Sequence, residues 1–367
     1  MPRLLKTDPL LPQNSSETYI NRELSLVSFN ERVLSLSQDR SIPILERLKY
    51  LCIVANNLDE LFEIRVAGLK ARLQEEPVDS QLPDGLTIEE TLTILGKRTQ
   101  SLVQLQYEIL NQSVVPALEK EGIKLLNFQD LNKQQKRWAS AYFKNNVLPI
   151  LTPLGLDPLH PFPKVLNKSL NFIIEMQGKD SYGRKGRVAI VQAPRLLSRI
   201  IEIPKKNRFT EITFINLSSL IEAHATSIFP GMEIIGIFQF RVTRNSDLYV
   251  DDEEVTDLRQ ALKGELSQRN YGDAVRIETH KDISSFCMNY LLTEFKLEKK
   301  DCYLVDGPVN VGRLITLPES VVKPDLKFKF FSPKYPEYLK GGKLLFDYLK
   351  QEDILLHHPY ECFDVVA

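Results

Sequence analysis

Residues 41–73 read SIPILERLKYLCIVANNLDELFEIRVAGLKARL. Apolar or small residues fall at Ile44, Leu48, Leu51, Ala55, Leu58, Phe62, Val66, Leu69 and Leu73. Each step is three or four residues, the spacing that keeps one helix face apolar. Ser41 is the expected N-cap, and Pro43 falls in the first turn. The middle of the run holds Asn56 and Asn57, poor helix formers whose side chains compete for backbone hydrogen bonds. Asn57 and Glu60 match a capping box, so the spacing predicts a break at 56–57 and a second helix starting there. A helix start exposes N–H groups and partial positive charge, which suits a phosphate or another polar ligand edge.

Working outward, residues 26–36 predict a short amphipathic helix, and 75–85 (EEPVDSQLPDG) a loop. Thr87 and Glu90 form the capping box of a long helix over 88–118, with its seam at Ile88, Leu92, Leu95, Leu102 and Ile109. Residues 17–118 therefore read as an all-α helical bundle, preceded by a disordered lead-in over 1–16.

The pattern changes near Gly122. Runs rich in Ile, Val and Phe predict strands at 123–126, 170–175, 188–192, 211–215, 232–240 and 274–278. Helices are expected at 133–146, which carries Trp138, and at 217–229, 255–269 and 283–295. Between them, residues 147–170 hold five prolines, a density that excludes helix and central strand and predicts a rigid loop. Residues 119–322 thus read as an α+β domain on a mixed sheet. Over 319–340, Leu326, Phe328 and Phe330 alternate with Lys327 and Lys329, which predicts a half-buried strand with a basic outer face. A helix is expected at 344–351, and 361–367 reads as the first turns of another. Residues 323–367 are read as a separate C-terminal region.

The 367 residues suggest two or three domains, and 43% hydrophobic content is ample for their cores. The formal net charge is −1, so no global field attracts nucleic acid or a polyanion, and any anion site must be local. Cys52, Cys287, Cys302 and Cys362 show no paired spacing and are expected as reduced thiols, with no disulfide framework and no zinc site. No run approaches the roughly 18 apolar residues of a membrane span, and no signal peptide is apparent, so the expected location is the cytoplasm, with peripheral membrane contact allowed. The run Asp251–Glu254 is read as a solvated acidic face, because four consecutive carboxylates cannot meet the geometry magnesium demands. Arg184, Lys185, Arg187, Lys205, Lys206, Lys327 and Lys329 are read as surface cations, with contact to a polyanion as the alternative.

Three blocks carry a resemblance: NRELSLVSFNERVL (21–34), PILERLKYL (43–51) and ANNLDELFEIRVAGLK (55–70). They resemble the polyphosphate kinase 1 family, whose pattern runs close to NRELSWLxFNxRVL, PLLERLKFL and SNNLDEFFxVRVAxLK. LTPLGLDPLHPFPKVLNKSLN (151–171), TRNSDLYVDDEE (243–254), YGDAVRIE (271–278) and LVDGPVNV (304–311) are similar to its head domain, and DILLHHPY (353–360) to the opening of its first catalytic domain. The resemblance implies a helical domain, a head domain and a stub of a phospholipase D-like catalytic domain. It also implies ATP as nucleotide, Mg2+ as metal, polyphosphate as second substrate, and a homo-oligomer. In the family the second Asn of the pair helps hold ATP, which falls on Asn57. The sequence departs from the pattern at Leu26–Val27, where the family has Trp–Leu, at Leu61, usually Phe, and at Phe330, a proline.

Family chemistry runs through a phosphohistidine in a His-x-Lys motif, a covalent device aided by arginines and magnesium. His160, His224, His280, His357 and His358 are followed two residues on by Phe162, Thr226, Asp282, Pro359 and Tyr360, none of them lysine. No Walker-type or GxGxxG phosphate loop occurs. The expectation is therefore the non-catalytic front half of an ATP–polyphosphate phosphotransferase, with no catalytic residue of its own and no phosphoryl transfer alone. Two other readings are a non-enzymatic binding or oligomerisation module derived from that family, and a generic nucleotide-binding protein, which the missing phosphate loop disfavours.

Overall fold

A computed structural model describes residues 18–77, 80–156, 162–178, 188–204, 211–246, 272–336 and 345–366. The proposed lead-in, His160, the basic groups at 184–187 and 205–206, the acidic run at 251–254 and the helix expected at 255–269 lie outside the described residues. The chain divides into two compact units, 1–322 and 323–367.

The first unit opens with a helical layer. Helix α1 (Arg22–Leu36) is capped by Asn21, whose side chain accepts from the Leu24 N–H. Helix α2 (Ile44–Glu60) starts one residue after Pro43, not at Ser41. It runs through Asn56 and Asn57 into a π-helical turn (Leu61–Val66) and then α3 (Ala67–Glu75), so the expected break does not exist. Two asparagines cost a helix at most about 0.7 kcal/mol each. The burial of Leu58, Leu61, Phe62 and Val66 around them outweighs that. Of the predicted seam only Leu73 is not buried. The wider turn at 61–66 lets Leu61, Phe62 and Glu63 all be buried, more of the circumference than a regular stripe would cover. Helix α4 (Ile88–Ile109) begins at the expected Thr87–Glu90 capping box and passes through a second π turn into α5 (Val115–Lys120).

Two sheets follow. Strand β1 (Ile123–Leu126) pairs in parallel with β6 (Ile212–Asn216), which pairs antiparallel with β5 (Ile200–Glu202). The larger sheet has the order β2-β4-β3-β7-β8-β9, formed by Thr152–Gly155, Val188–Gln192, Asn171–Gln177, Glu233–Arg244, Ala274–His280 and Cys302–Val305. Strand β2 includes Pro153, tolerated because β2 is an edge strand. Helix α6 (Lys133–Tyr142) and the short helices α7 (Leu217–Ala223) and α8 (Ala225–Ile228) belong to a core that includes Phe143, Phe172, Ile174 and Leu220. Helix α9 (Ser285–Glu294) crosses from β8 to its parallel neighbour β9 and packs Cys287 and Leu291 against Phe240, Val242 and Ile277. A short helix α10 (Thr316–Ser320) closes the unit. Among the described residues no helix is long and apolar enough to cross a membrane.

Among the described residues of the second unit, the strand expected at 319–340 does not form. Pro324–Leu326 form a 3-10 turn, and Phe328 and Phe330 are 52% and 93% exposed, so the alternation has no apolar layer to face. Helix α11 spans Leu345–Leu349, and a single bridge joins Lys334 to Glu361. A short 3-10 turn, Phe363–Val365, stands where an apolar helix was expected.

Candidate functional site

Strand alternation gives β7 and β8 two unlike faces. Phe240, Val242 and Ile277 point into the core beneath α9. Arg241, Arg276 and Glu278 point the other way, toward the helical layer, where all three are buried. Arg241 and Glu278 are directly opposed across the strands. Asp59 of α2 accepts from Arg241 Nη1 at 2.7 Å and from Arg276 Nη2. Glu278 accepts from Arg241 Nη2 at 2.8 Å, the Asn310 N–H at 2.7 Å and the Tyr107 hydroxyl at 3.3 Å. The Arg276 guanidinium lies 4.3 Å from the Phe62 ring centre.

Burial alone would push the Asp59 carboxyl up, but the Arg241 and Arg276 charges outweigh it and hold it below the usual carboxylate range. Burial opposes the Arg241 cation, and Asp59 and Glu278 more than reverse that. Burial, with Glu278 nearby, raises the Tyr107 hydroxyl, so it stays a proton donor. The space among these groups is too small for a water molecule. This network is a lock between helix and sheet. One turn further on, Glu63 accepts from Asn167 at 2.7 Å and from Lys168 at 2.9 Å, and Lys70 reaches Asp301 at 2.7 Å.

The lock fixes the helix that carries Asn57. Asn57 is half-buried and Asn56 exposed, so neither carboxamide is sealed in apolar packing. Asn30 is buried and donates its own Nδ2 to the Leu26 carbonyl at 2.9 Å, which leaves its Oδ1 as an acceptor. Asn57 Nδ2 donates to that Oδ1 at 2.9 Å, so the Asn57 carboxamide has one allowed orientation. Its second N–H and its Oδ1 make no hydrogen bond among the described residues. Asn57 is mid-helix and caps nothing, so its backbone N–H is not available to a ligand. Whatever Asn57 offers, it offers through the side chain. Beside it, a Cβ at Gly312 would stand 2.6 Å from Asn56 Oδ1, so a larger residue there would have to push the Asn56 side chain aside.

A second hollow, about 680 Å³, opens between the end of α4 and the sheets. Its charged lining is Glu222, Asp282 and Asp306, with no lysine or arginine, which disfavours a polyphosphate. Burial pushes the Glu222 carboxyl up to about 7. His224 bonds the Leu220 carbonyl at 2.9 Å and Ser140 Oγ at 3.0 Å and stacks on Phe143, a packed histidine. In the second unit the His357 N–H donates to Glu361 Oε2 and the His358 ring bonds the Glu361 carbonyl. Cys52, Cys287 and Cys302 are buried free thiols, and Cys362 is half-buried.

Two family models match the sequence: "Polyphosphate kinase N-terminal domain" over residues 19–126 and "Polyphosphate kinase middle domain" over 134–317. The chain belongs to the polyphosphate kinase family. It is 45% identical over 347 residues to a polyphosphate kinase of Burkholderia multivorans, covering 95% of this chain and 50% of that protein. A polyphosphate kinase of Paraburkholderia phytofirmans is 46% identical over the same length. The chain thus spans about half the length of the curated polyphosphate kinases it matches. The fold is that of a crystal structure of polyphosphate kinase from Porphyromonas gingivalis, with a TM-score of 0.77 at 23% identity, over 95% of this chain and 49% of that one. The helical and head domains expected from the sequence are therefore those of the polyphosphate kinase fold.

The Asp59–Arg241–Arg276–Glu278 lock was not anticipated. Its signal was present: Arg241 inside FRVTR and charged residues at alternate positions of VRIE, runs otherwise fit for a buried strand.

Proposed function

We propose that this chain is the nucleotide-orienting, non-catalytic portion of an ATP–polyphosphate phosphotransferase. In this reading a phosphohistidine outside these residues carries the phosphoryl group between ATP and polyphosphate. Asn57 contacts the nucleotide, and the observation that carries its role is its half-exposed carboxamide, turned one way by Asn30, with one N–H and one carbonyl oxygen unspent. The N–H suits a phosphate oxygen, and the carbonyl suits a hydroxyl or an amine. Magnesium would accompany ATP. No cluster of three or more His, Cys, Asp or Glu able to hold a metal stands among the described residues, so no step is assigned to the ion here. Asn57→Ala should weaken ATP binding about fivefold, one hydrogen bond or ~1 kcal/mol. An unchanged affinity removes Asn57 from the site.

A second reading is an assembly module, with a further copy of the family as partner. It is favoured by the exposure of Phe330, Phe346 and Leu355 in the second unit, at 93%, 74% and 89%. Sedimentation of the chain with and without a full-length relative checks it. Two species that never co-sediment would set it aside.

A further inference from the structure

The hollow of about 680 Å³ beside the end of α4 is lined by polar groups that the fold leaves unspent. Gln239 is 5% exposed, and its Oε1 accepts from the Val309 N–H at 2.9 Å, while its Nε2 makes no hydrogen bond among the described residues. Asn216 closes β6 and Ser218 follows it on α7; at 8% and 7% exposure, neither side chain makes a hydrogen bond among the described residues. Glu222 stands one turn beyond Ser218 on the same face of α7, half-buried and with neither hydrogen bond nor ion pair among the described residues. Burial raises its carboxyl to about 7. The two other carboxylates at the hollow are matched: Asp306 pairs with Lys281 at 2.8 Å, and Asp282 lies 3.4 Å from the His280 ring.

A carboxyl taken out of water without a partner is destabilising, and so is a buried amide or hydroxyl left unpaired. Buried carboxylates elsewhere in this unit are matched, Asp59 and Glu278 by Arg241 and Glu63 by Lys168. Water filling the hollow satisfies Gln239, Asn216 and Ser218 but brings no counter-charge to Glu222. A stability cost kept in one place, around a space of ligand size, is the pattern of a binding site. The unspent groups define the ligand. Glu222 asks for a cation with N–H donors, and Gln239 Nε2 for an acceptor. Asn216 and Ser218 ask for a group that both gives and takes, and Leu125 and Ile237 offer apolar wall to its carbons.

We propose that this hollow binds a small organic amine that carries hydroxyl groups. The ammonium pairs with Glu222, one hydroxyl accepts from Gln239 Nε2, and others bond Asn216 and Ser218. No lysine or arginine lines the hollow, which weighs against an anion. The site shares no residue with the Asn57 contact, so either assignment can fail without the other.

The test titrates the 367-residue chain at neutral pH with three probes: glucamine, sorbitol, which has a hydroxyl in place of the amine, and diaminobutane, which has amines and no hydroxyl. Glucamine should bind saturably, about tenfold tighter than either of the others. Glu222→Gln should weaken glucamine about tenfold and leave sorbitol unchanged. Ser218→Ala and Asn216→Ala should each weaken both about fivefold. Circular dichroism and the melting temperature of each ligand-free variant report its folding. Ligand-free Glu222→Gln should melt no lower than the parent, because the charge it removes has no partner. Absence of saturable glucamine binding overturns the proposal, as does glucamine binding indifferent to Glu222→Gln. Sorbitol or diaminobutane binding as tightly as glucamine overturns the class of ligand assigned. A marked drop in melting temperature for ligand-free Glu222→Gln also overturns it, since the carboxyl would then serve the fold.

Discussion

Asp59 lies between Leu58 and Glu60 at the end of α2, and it is the residue on which the two layers meet. Removing one member of a buried ion network strands the others, at a cost of about 3–5 kcal/mol. Asp59→Asn should therefore lower the unfolding free energy from urea titration by that order. A loss under about 1 kcal/mol would mean the lock is not what joins the layers. Its folded pKa is depressed, so its stabilisation is complete above the unfolded value near 4 and fades as pH falls through the lower folded value. The acid limb of the stability curve should be shallower in Asp59→Asn. Glu222 has the opposite sign. Its carboxyl is raised to about 7, so the unfolded chain ionises first and stability falls as pH rises from about 4.5 to 7, then levels. Glu222→Gln should remove that fall and stabilise the protein above pH 7 by about 2 kcal/mol, allowing for partial solvent screening. Parallel pH–stability curves for parent and variant would contradict the assignment.

At the scale of elements, periodicity located α2, α4 and most strands within a few residues, because each buries one continuous face. It misplaced what depends on partners. The break at Asn56–Asn57 followed from propensity, yet Asn30 and the buried neighbours of Asn57 hold the helix through it. The π turn at Leu61–Val66 left no mark in the sequence, because it answers to Glu63 and Phe62 meeting the sheet and the 167–168 loop. The strand expected near Phe328 failed for want of a layer to cover it. The Thr87–Glu90 box is local, and it formed as read. Thr87→Ala should cost about 1 kcal/mol by denaturant titration. No change would mean the end of α4 is held by its tertiary contacts alone.

At the scale of the molecule, a helical layer and a head sheet are joined through ions, and the joint holds one face of α2 outward. Of the candidate site, Asn57 was readable from its motif. Its orientation by Asn30 was not, because a side-chain contact between α1 and α2 has no sequence spacing. The charged positions inside the strands were legible, but their pairing with Asp59 was not, because Asp59 is far from Arg241 and Arg276 in the chain and meets them only through folding. Family membership explains why these layers occur together, and the proposed role places a nucleotide on the exposed turn.

The most direct measurement is calorimetric titration of ATP into the parent chain and into Asn57→Ala, with circular dichroism to confirm equal folding. The account predicts binding in the parent and about fivefold weaker binding in the variant, with the helical signal unchanged. Equal affinities in two equally folded proteins would contradict it.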